Sequence, residues 1–296
     1  MVMLVVATLN PIKFHSQEIP ILTQFTSQDF IINPAFTGDV FDKTIPFYIT
    51  GREQWAGFTG GNPRTISIGA HGLINKVGLG GRVYRDEQGG AFSKNEIDFN
   101  IGIPVNLSKS SFLRFGLGGA VRSLRTDNNF ENVDPSDPLL LQQESDVDLK
   151  TSFGLAYSGN FVDGSEYYRL NIGWSFNNVD PKRFSQPTSV GMFEMYGYFN
   201  FFAYNDFKRF EINYLNKWVR DLPMQGDLIL LFGIQENVSL GFFNRFSYGS
   251  NYLRNSSNKY FLFGDALGPV VNFNLKKFSL GYSIDFTGSG MRNHSS

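Results

Sequence analysis

KNEIDFNIGI (residues 94–103) alternates strictly between apolar and polar side chains. Its apolar positions are the odd-numbered residues from Ile97 to Ile103, and its polar positions are the even-numbered residues from Glu96 to Gly102. Successive side chains of a strand point to opposite faces, so one face is apolar and the other carries charges and glycine. That combination is typical of a transmembrane barrel, whose outside is apolar and whose lumen is wet.

The same alternation recurs along the chain, most clearly at residues 112–124, 167–177 and 278–287. Residues 192–204 and 226–235 alternate poorly, and their register is not fixed by the pattern. In all we predict thirteen strands, near residues 45–55, 65–73, 77–85, 94–104, 111–124, 148–158, 167–177, 192–204, 209–219, 226–235, 238–248, 260–274 and 277–287. Most have about the 9–11 residues that a tilted strand needs to cross a bilayer.

The connections between these strands also favour a barrel. Every second one is expected to be short, as at Ile74–Lys76 and Asn106–Ser110, with Gly159–Glu166 the longest of this set. The others are expected to be long and polar, including Ala56–Arg64, Asp86–Ser93, Thr126–Val147, Asn178–Gly191 and Ser250–Lys259. Outer-membrane barrels have short turns on the periplasmic side and long loops outside. A soluble β-sandwich, the alternative, would scatter its long connections.

The expected fold class is therefore all-β, an antiparallel transmembrane β-barrel. Bacterial single-chain barrels have even strand numbers, and an unpaired edge cannot face lipid. We therefore expect 14 strands, with the last one beyond Ser296; closure by residues 18–44 is the less favoured alternative because those residues alternate poorly.

Composition narrows the class of protein further. Aromatic residues make up 16% of the 296 residues, and charged residues make up 18%, against about 25% in typical soluble proteins. The net charge of −1 gives no electrostatic basis for nucleic-acid binding. Because the chain has no cysteine, disulfides and thiolate metal sites are excluded.

Three regions are predicted along the chain. Residues 1–17 are expected to be a signal peptide, because an apolar run begins the chain. No basic region precedes this run, so the signal peptide is either complete or lacks its start; a first buried strand is the alternative. Residues 18–44, punctuated by Pro20, Pro34 and Gly38, are expected to form a periplasmic N-terminal arm or plug. Residues 45–296 are expected to form the barrel.

The charged residues of the strands are candidates for a role in the lumen. They share the polar face in our register, where an Arg avoids the cost of about 2–4 kcal/mol that the lipid face would impose. They either line a pore or fill the lumen with salt bridges. They are Arg52, Arg82, Glu96, Asp98, Arg114, Arg122, Arg169 and Asp285.

Enzymatic and metal chemistry have little support in the sequence. The three histidines, His15, His71 and His294, have no metal-ligand spacing, and there is no G-x-S-x-G nucleophile motif. We expect no catalytic, metal or cofactor-binding residues and no cofactor. The three tryptophans, Trp55, Trp174 and Trp218, are expected at the membrane interfaces.

Several short motifs carry a resemblance to one protein family. Gln24–Thr26 precedes an Asn-Pro-Ala-x-x-Gly motif at Asn33, Pro34, Ala35 and Gly38. An R-x-Q-W-x-G signature follows at Arg52, Gln54, Trp55 and Gly57. Together with the stretches Gly60–Thr65 and Phe278–Phe286, these motifs resemble the PorP/SprF outer-membrane proteins of the type IX secretion system of Bacteroidetes. The N-terminal part is shorter than in the family, and the strand expected after His294 is absent from this sequence.

The resemblance implies a non-enzymatic barrel in the cell outer membrane. Its expected role is to help secrete, or anchor at the cell surface, adhesins with C-terminal sorting domains, including those of gliding motility. Its expected partners are that sorting domain, the periplasmic type IX secretion components and outer-membrane lipid. The long loops Thr126–Val147 and Asn178–Gly191 are the expected contact regions. Equally, the Asn33–Gly38 and Arg52–Trp55 motifs have a structural interpretation, as a turn that locks the arm and an interfacial anchor.

Two other functions are alternatives to this hypothesis. One is an outer-membrane diffusion pore or transporter for small solutes, which the charged lumen suggests. The other is an outer-membrane lipase or protease that depends on His71.

Overall fold

The computed structural model describes residues 23–40, 44–54, 62–88, 92–126, 147–179, 194–205, 208–219, 224–235, 237–248, 265–275 and 278–287. The predicted signal peptide, residues 1–17, lies outside these ranges, as do the greater parts of the two predicted contact loops. No helix within the described ranges is long and apolar enough to span a membrane.

One antiparallel sheet contains every described strand. The strands are β1 (Phe47–Glu53), β2 (Arg64–Ile74), β3 (Val77–Gln88), β4 (Phe92–Asn106), β5 (Ser111–Thr126), β6 (Val147–Asp163), β7 (Glu166–Val179), β8 (Glu194–Asn205), β9 (Lys208–Val219), β10 (Met224–Gln235), β11 (Val238–Tyr248), β12 (Ala266–Asn274), β13 (Ser279–Ser283) and β14 (Phe286–Thr287). β1 to β13 lie side by side in chain order, and β14 also pairs with β12. β13 and β14 thus share one strand position, so all thirteen predicted strands are confirmed.

The two faces of the sheet have opposite chemistry. On β4, Ile97 is 44% exposed and Phe99 is 64% exposed, whereas Glu96 keeps 3% and Asn100 keeps 6% of its surface. Large apolar side chains thus cover the outward face, and polar and charged ones line much of the interior face, the reverse of a soluble protein. This arrangement confirms the expected fold class, an antiparallel β-barrel with an apolar outer belt.

Two predicted connections are wrong in length. β6 continues to Asp163, so the turn to β7 is Gly164–Ser165, with Gly164 at φ +60°, rather than the longer connection expected at residues 159–166. β3 and β4 extend to Gln88 and from Phe92, so residues 89–91 replace the long connection expected at 86–93. At both connections the paired strands are longer than predicted, because pairing depends on backbone hydrogen bonds. The pairing therefore continues where the outward side chains become polar.

The inner segment, Thr23–Val40, lies against the interior face. It consists of a 3₁₀ turn at Phe25–Gln28, one α-helical turn at Asp29–Ile32 and a 3₁₀ turn at Pro34–Phe36. The Gln28 side chain bonds Thr50 of β1 at 3.1 Å, and Thr23 bonds Asp285, beyond β13, at 2.6 Å. A single short segment touches both ends of the strand order, so the sheet curves around it.

The interior face presents two different walls to the inner segment. β3 to β7 contribute glycines and charged side chains, whereas β8 to β12 contribute a buried apolar cluster. Phe25 and Phe36 of the segment pack on Tyr198 of β8, with ring centroids 6.2 and 5.0 Å apart. The cluster continues through Leu215, Ile229, Leu231, Phe243 and Val270. The segment therefore binds through apolar side chains on one wall and through its backbone and polar groups on the other.

Candidate functional site

The Asn-Pro-Ala-x-x-Gly motif is the most deeply buried part of the inner segment. Asn33 is 1% exposed, and Ala35 and Phe36 are fully buried. Asn33 caps the 3₁₀ turn that follows it: its Oδ1 accepts a hydrogen bond from the Ala35 N–H at 2.9 Å, and Pro34 stands at the first position of the turn. Both choices suit the start of a helical turn.

The Asn33 amide also recognises the wall of the barrel. Its Nδ2 donates to the backbone carbonyls of Leu155 on β6 and Trp174 on β7, at 3.3 and 3.2 Å. These carbonyls are within reach because the interior positions beside them are glycines; a Cβ on Gly173 would lie 2.6 Å from Asn33 Nδ2. The Asn33 side chain thus hydrogen-bonds the backbone of one turn and of two strands at once.

A glycine row carries the rest of the motif. The row consists of Gly78, Gly102, Gly116 and Gly154, which are direct cross-strand partners on β3 to β6, and ends at Gly173 on β7. A Cβ on Gly78 or Gly102 would overlap the Thr37 carbonyl, and one on Gly116 would overlap the Ala35 backbone. The glycine row therefore leaves a shallow depression in the barrel wall, where side chains would otherwise stand, and a peptide backbone lies in it.

Gly38 and His71 join the end of the motif to β2. Gly38 has φ +77°, which glycine adopts without strain, and its N–H donates to His71 Nδ1 at 3.1 Å. His71 Nε2 lies 3.1 Å from the Tyr48 hydroxyl, and the Phe30 ring stacks on the imidazole at 4.4 Å. His71 Nδ1 thus binds the inner segment, and His71 Nε2 is held by Tyr48 of β1.

Asp39 forms the charged anchor of the inner segment. Its Oδ1 accepts a hydrogen bond from Arg114 at 2.7 Å, and its Oδ2 accepts from Arg169 and from Ser158, the latter at 3.3 Å. We call Arg114, Ser158 and Arg169 the carboxylate seat. Burial acts to raise the pKa of Asp39, but Arg169 and Arg114 outweigh it, so the pKa lies below its ordinary value.

Asp29 is the second carboxyl of the inner segment, and its pKa is shifted in the opposite direction to that of Asp39. It retains part of its accessible surface, yet it lies inside the curved sheet, where protein replaces bulk water. Burial, together with the negative charge of Asp39, raises the pKa of Asp29 to about 7. Arg169 and Arg114 act in the opposite direction and lower the pKa of Asp29, but they do not outweigh its burial.

Arg82, Glu96, Asp98 and Arg122, the predicted lumen charges of β3 to β5, pair with one another on the interior face. Arg82 bonds Asp98 at 2.8 Å and Glu96 at 3.4 Å, and Arg122 bonds Glu96 at 2.8 Å. The Arg82 guanidinium lies 4.3 Å from the centre of the Tyr84 ring. These groups form a buried network in which each charge has an opposite charge beside it, as burial requires.

A second charged cluster lies on β9 to β11 and was not predicted. Asp227, fully buried, bonds Lys217 at 2.9 Å and Arg245 at 2.8 Å. Nearby, the predicted residues Arg52 and Asp285 lie 3.8 Å apart and connect β1 to the last strand position. All of these side chains point to the interior.

The remaining predicted residues lie at a strand end, on the outward face or outside the described ranges. Gln54 follows β1 directly, whereas Trp55 and Gly57 of the same signature lie outside the described ranges, as do His15 and His294. Trp174 is on the outward face and 55% exposed, and Trp218 faces outward near the end of β9.

Sequence reasoning missed Asp39 and the glycine row. The signal for the row was present, since interior-face glycines occur at one level on successive strands. Asp39 follows the motif directly, but its partners Arg114 and Arg169 are 75 and 130 residues away in the chain. No local pattern connects residues so distant.

Comparison with known proteins adds the identity of the family. None of the curated proteins matches this chain significantly. The model of the family described as "Type IX secretion system membrane protein PorP/SprF" matches residues 14–296. This match covers nearly the whole chain, including the barrel strands and the buried Asn-Pro-Ala-x-x-Gly motif. The chain therefore belongs to the PorP/SprF family of type IX secretion system membrane proteins.

Proposed function

We propose that this chain is an outer-membrane barrel that helps secrete adhesins with C-terminal sorting domains or anchor them at the cell surface. Membership of the type IX secretion family carries the proposal. The fold supports it, because a barrel whose interior is occupied by its own segment suits a scaffold for other proteins better than a conduit. In this proposal the chain performs no chemical reaction itself.

The proposed partners are the C-terminal sorting domain of an adhesin on one side of the membrane and periplasmic secretion components on the other. The long loops at residues 126–147 and 178–191 are proposed to contact the sorting domain, because loops on a rigid scaffold carry recognition. The short turns, such as Asn75–Lys76, would then face the periplasm.

The filled interior argues against a steady diffusion pore. The inner segment packs against β1, β2, β4 to β8 and the last strand position, and the lumen charges pair with one another. In planar bilayers the purified chain is expected to give no steady ohmic current. A stable open conductance would favour the pore hypothesis instead.

A host that lacks the gene for this chain tests the proposed function. Mass spectrometry would compare proteins on the cell surface and in the medium, with the deletion complemented by the wild-type gene as the control. We expect selective loss from the surface of one or a few large proteins with C-terminal sorting domains. An unchanged surface proteome together with altered uptake of a solute would overturn the proposal.

A further inference from the structure

The carboxylate seat carries more cationic donors than Asp39 uses. Arg114, Ser158 and Arg169 are 6%, 2% and 7% exposed, so the seat is shielded from solvent while the inner segment is in place. Arg114 gives one Nη2–H to Asp39, whereas its Nε and Nη1 are buried and find no hydrogen-bond partner among the described residues. A buried guanidinium with unused donors is costly, and a carboxylate that binds in two-pronged geometry satisfies it best.

The glycine row beside the seat accommodates a peptide rather than a small ion. The Thr37 carbonyl and the Ala35 backbone occupy the positions where side chains of Gly78, Gly102 and Gly116 would stand. The seat and the row are continuous, because Gly116 and Arg114 lie on the same face of β5, two residues apart. A peptide in the row therefore delivers an acidic side chain directly to Arg114 and Arg169.

The resident inner segment is held in a way that allows exchange. Its helical elements have only three or four residues each and are too short to be stable alone. Among the described residues the segment contacts the wall through hydrogen bonds with wall side chains, through an ion pair and through apolar packing, and its elements join no strand ladder. The inner segment thus binds the barrel wall as a separate peptide would, although it belongs to the same chain.

We propose that the carboxylate seat and the glycine row form a binding site for an acidic peptide segment of a partner protein. The partner segment takes the place of the inner segment and presents an Asp or Glu carboxylate to Arg114 and Arg169. This inference rests on the proposed function, since the partner is a protein handled by the secretion system. Attachment gives the inner segment a millimolar effective concentration, so the partner must be tethered nearby or bind tightly.

The test uses the whole chain in detergent and the variant Asp39→Asn, which removes the resident carboxylate. The probe is a fluorescent, C-terminally amidated peptide, IINPAFTGDV, identical to residues 31–40. A matched peptide has Asn in place of its single Asp. Fluorescence anisotropy measures the affinity of each peptide for each protein, and retention of the compact band in unheated gels shows that the proteins are folded.

We expect Asp39→Asn to bind the Asp peptide at least tenfold more tightly than the Asn peptide and at least tenfold more tightly than the wild type does. If Asp39→Asn does not fold, Ser158→Ala keeps both arginines, weakens the hold on Asp39, and should still prefer the Asp peptide. Equal affinity for both peptides, or no saturable binding to a folded variant, would overturn the inference. Neither result bears on the surface-proteome experiment, so the two proposals fail separately.

Discussion

Gly116 of β5 and Ala35 of the inner segment pack so closely that a Cβ on Gly116 would lie 2.6 Å from Ala35 Cα. Real Cβ atoms do not approach other carbon atoms to this distance. The barrel wall is therefore shaped by the absence of a side chain, and the inner segment is shaped to fill that gap. This contact shows that the motif and the barrel wall are complementary in shape.

Replacing Gly116 by Ala should displace the inner segment. Overpacking of a close backbone contact costs about 1–3 kcal/mol, so the midpoint of urea unfolding in detergent should fall, and protease should cleave the segment faster. Gly119→Ala, on the outward face of the same strand, is the matched control because its nearest neighbour lies 3.8 Å away. Equal unfolding midpoints for the two variants would contradict the close contact.

Replacing Asn33 by Asp separates its two roles. Asp caps a helical turn as well as Asn does, but a carboxylate cannot donate to the carbonyls of Leu155 and Trp174. We expect Asn33→Asp to lower the free energy of unfolding by at least as much as Asn33→Ala, on the order of 1–3 kcal/mol. A harmless Asn33→Asp variant would show that only the cap matters.

The two carboxyls of the inner segment should give opposite pH dependence. The pKa of Asp29 rises from 3.8 to about 7 in the folded chain, so ionising it opposes folding, and stability falls as pH rises from about 4 through about 7. Asp29→Asn should therefore raise the unfolding midpoint at pH 8 and change it little at pH 4. The pKa of Asp39 is lowered, so its contribution is present above about pH 4 and is lost in acid.

Unfolding midpoints at pH 4 and pH 8 for the wild type, Asp29→Asn and Asp39→Asn measure this difference. Asp39→Asn should lower the midpoint at pH 8, the opposite of Asp29→Asn. The assignment is wrong if both variants shift the midpoint at pH 8 in the same direction.

Asp227 should be the most sensitive residue of the second charged cluster. Asp227→Asn leaves Lys217 and Arg245 buried without their shared anion, which costs about 3–5 kcal/mol. Glu87→Gln is the control, since its pair with Arg85 is exposed and worth about 0–1 kcal/mol. Similar unfolding midpoints for the two variants would show that the cluster is not desolvated.

The sequence predicted the strands well because lipid and lumen impose a two-residue period on each of them. On β4 the predicted outward residues Ile97 and Phe99 are the exposed ones. The register of β8 and β10 was not predicted for a physical reason. Their interior faces carry Tyr196, Tyr198, Ile229 and Leu231, which pack in the apolar cluster with Phe25 and Phe36, so both faces of these strands are apolar and the alternation disappears.

The site was predicted only in part. The Asn33–Gly38 motif was recognised, and the turn at Pro34 follows from its residues. The glycine row and the carboxylate seat depend on residues from five strands that meet only after the sheet has curved. Such a site follows from tertiary packing, which single-strand patterns do not encode.

A disulfide between the inner segment and the last strand position tests most directly that the segment lies inside the curved sheet. Thr23 Oγ1 and Asp285 Oδ2 are 2.6 Å apart, and the chain has no cysteine to interfere. Thr23→Cys with Asp285→Cys should form a disulfide in mildly oxidised membranes, because the side chains at these two positions are in direct contact and thiols placed there meet often enough to be oxidised. The control pairs Thr23→Cys with Tyr282→Cys, whose side chain is outward and 64% exposed. Mass spectrometry of unreduced peptides should find the link only in the first pair; no link there, or equal links in both, would contradict the account.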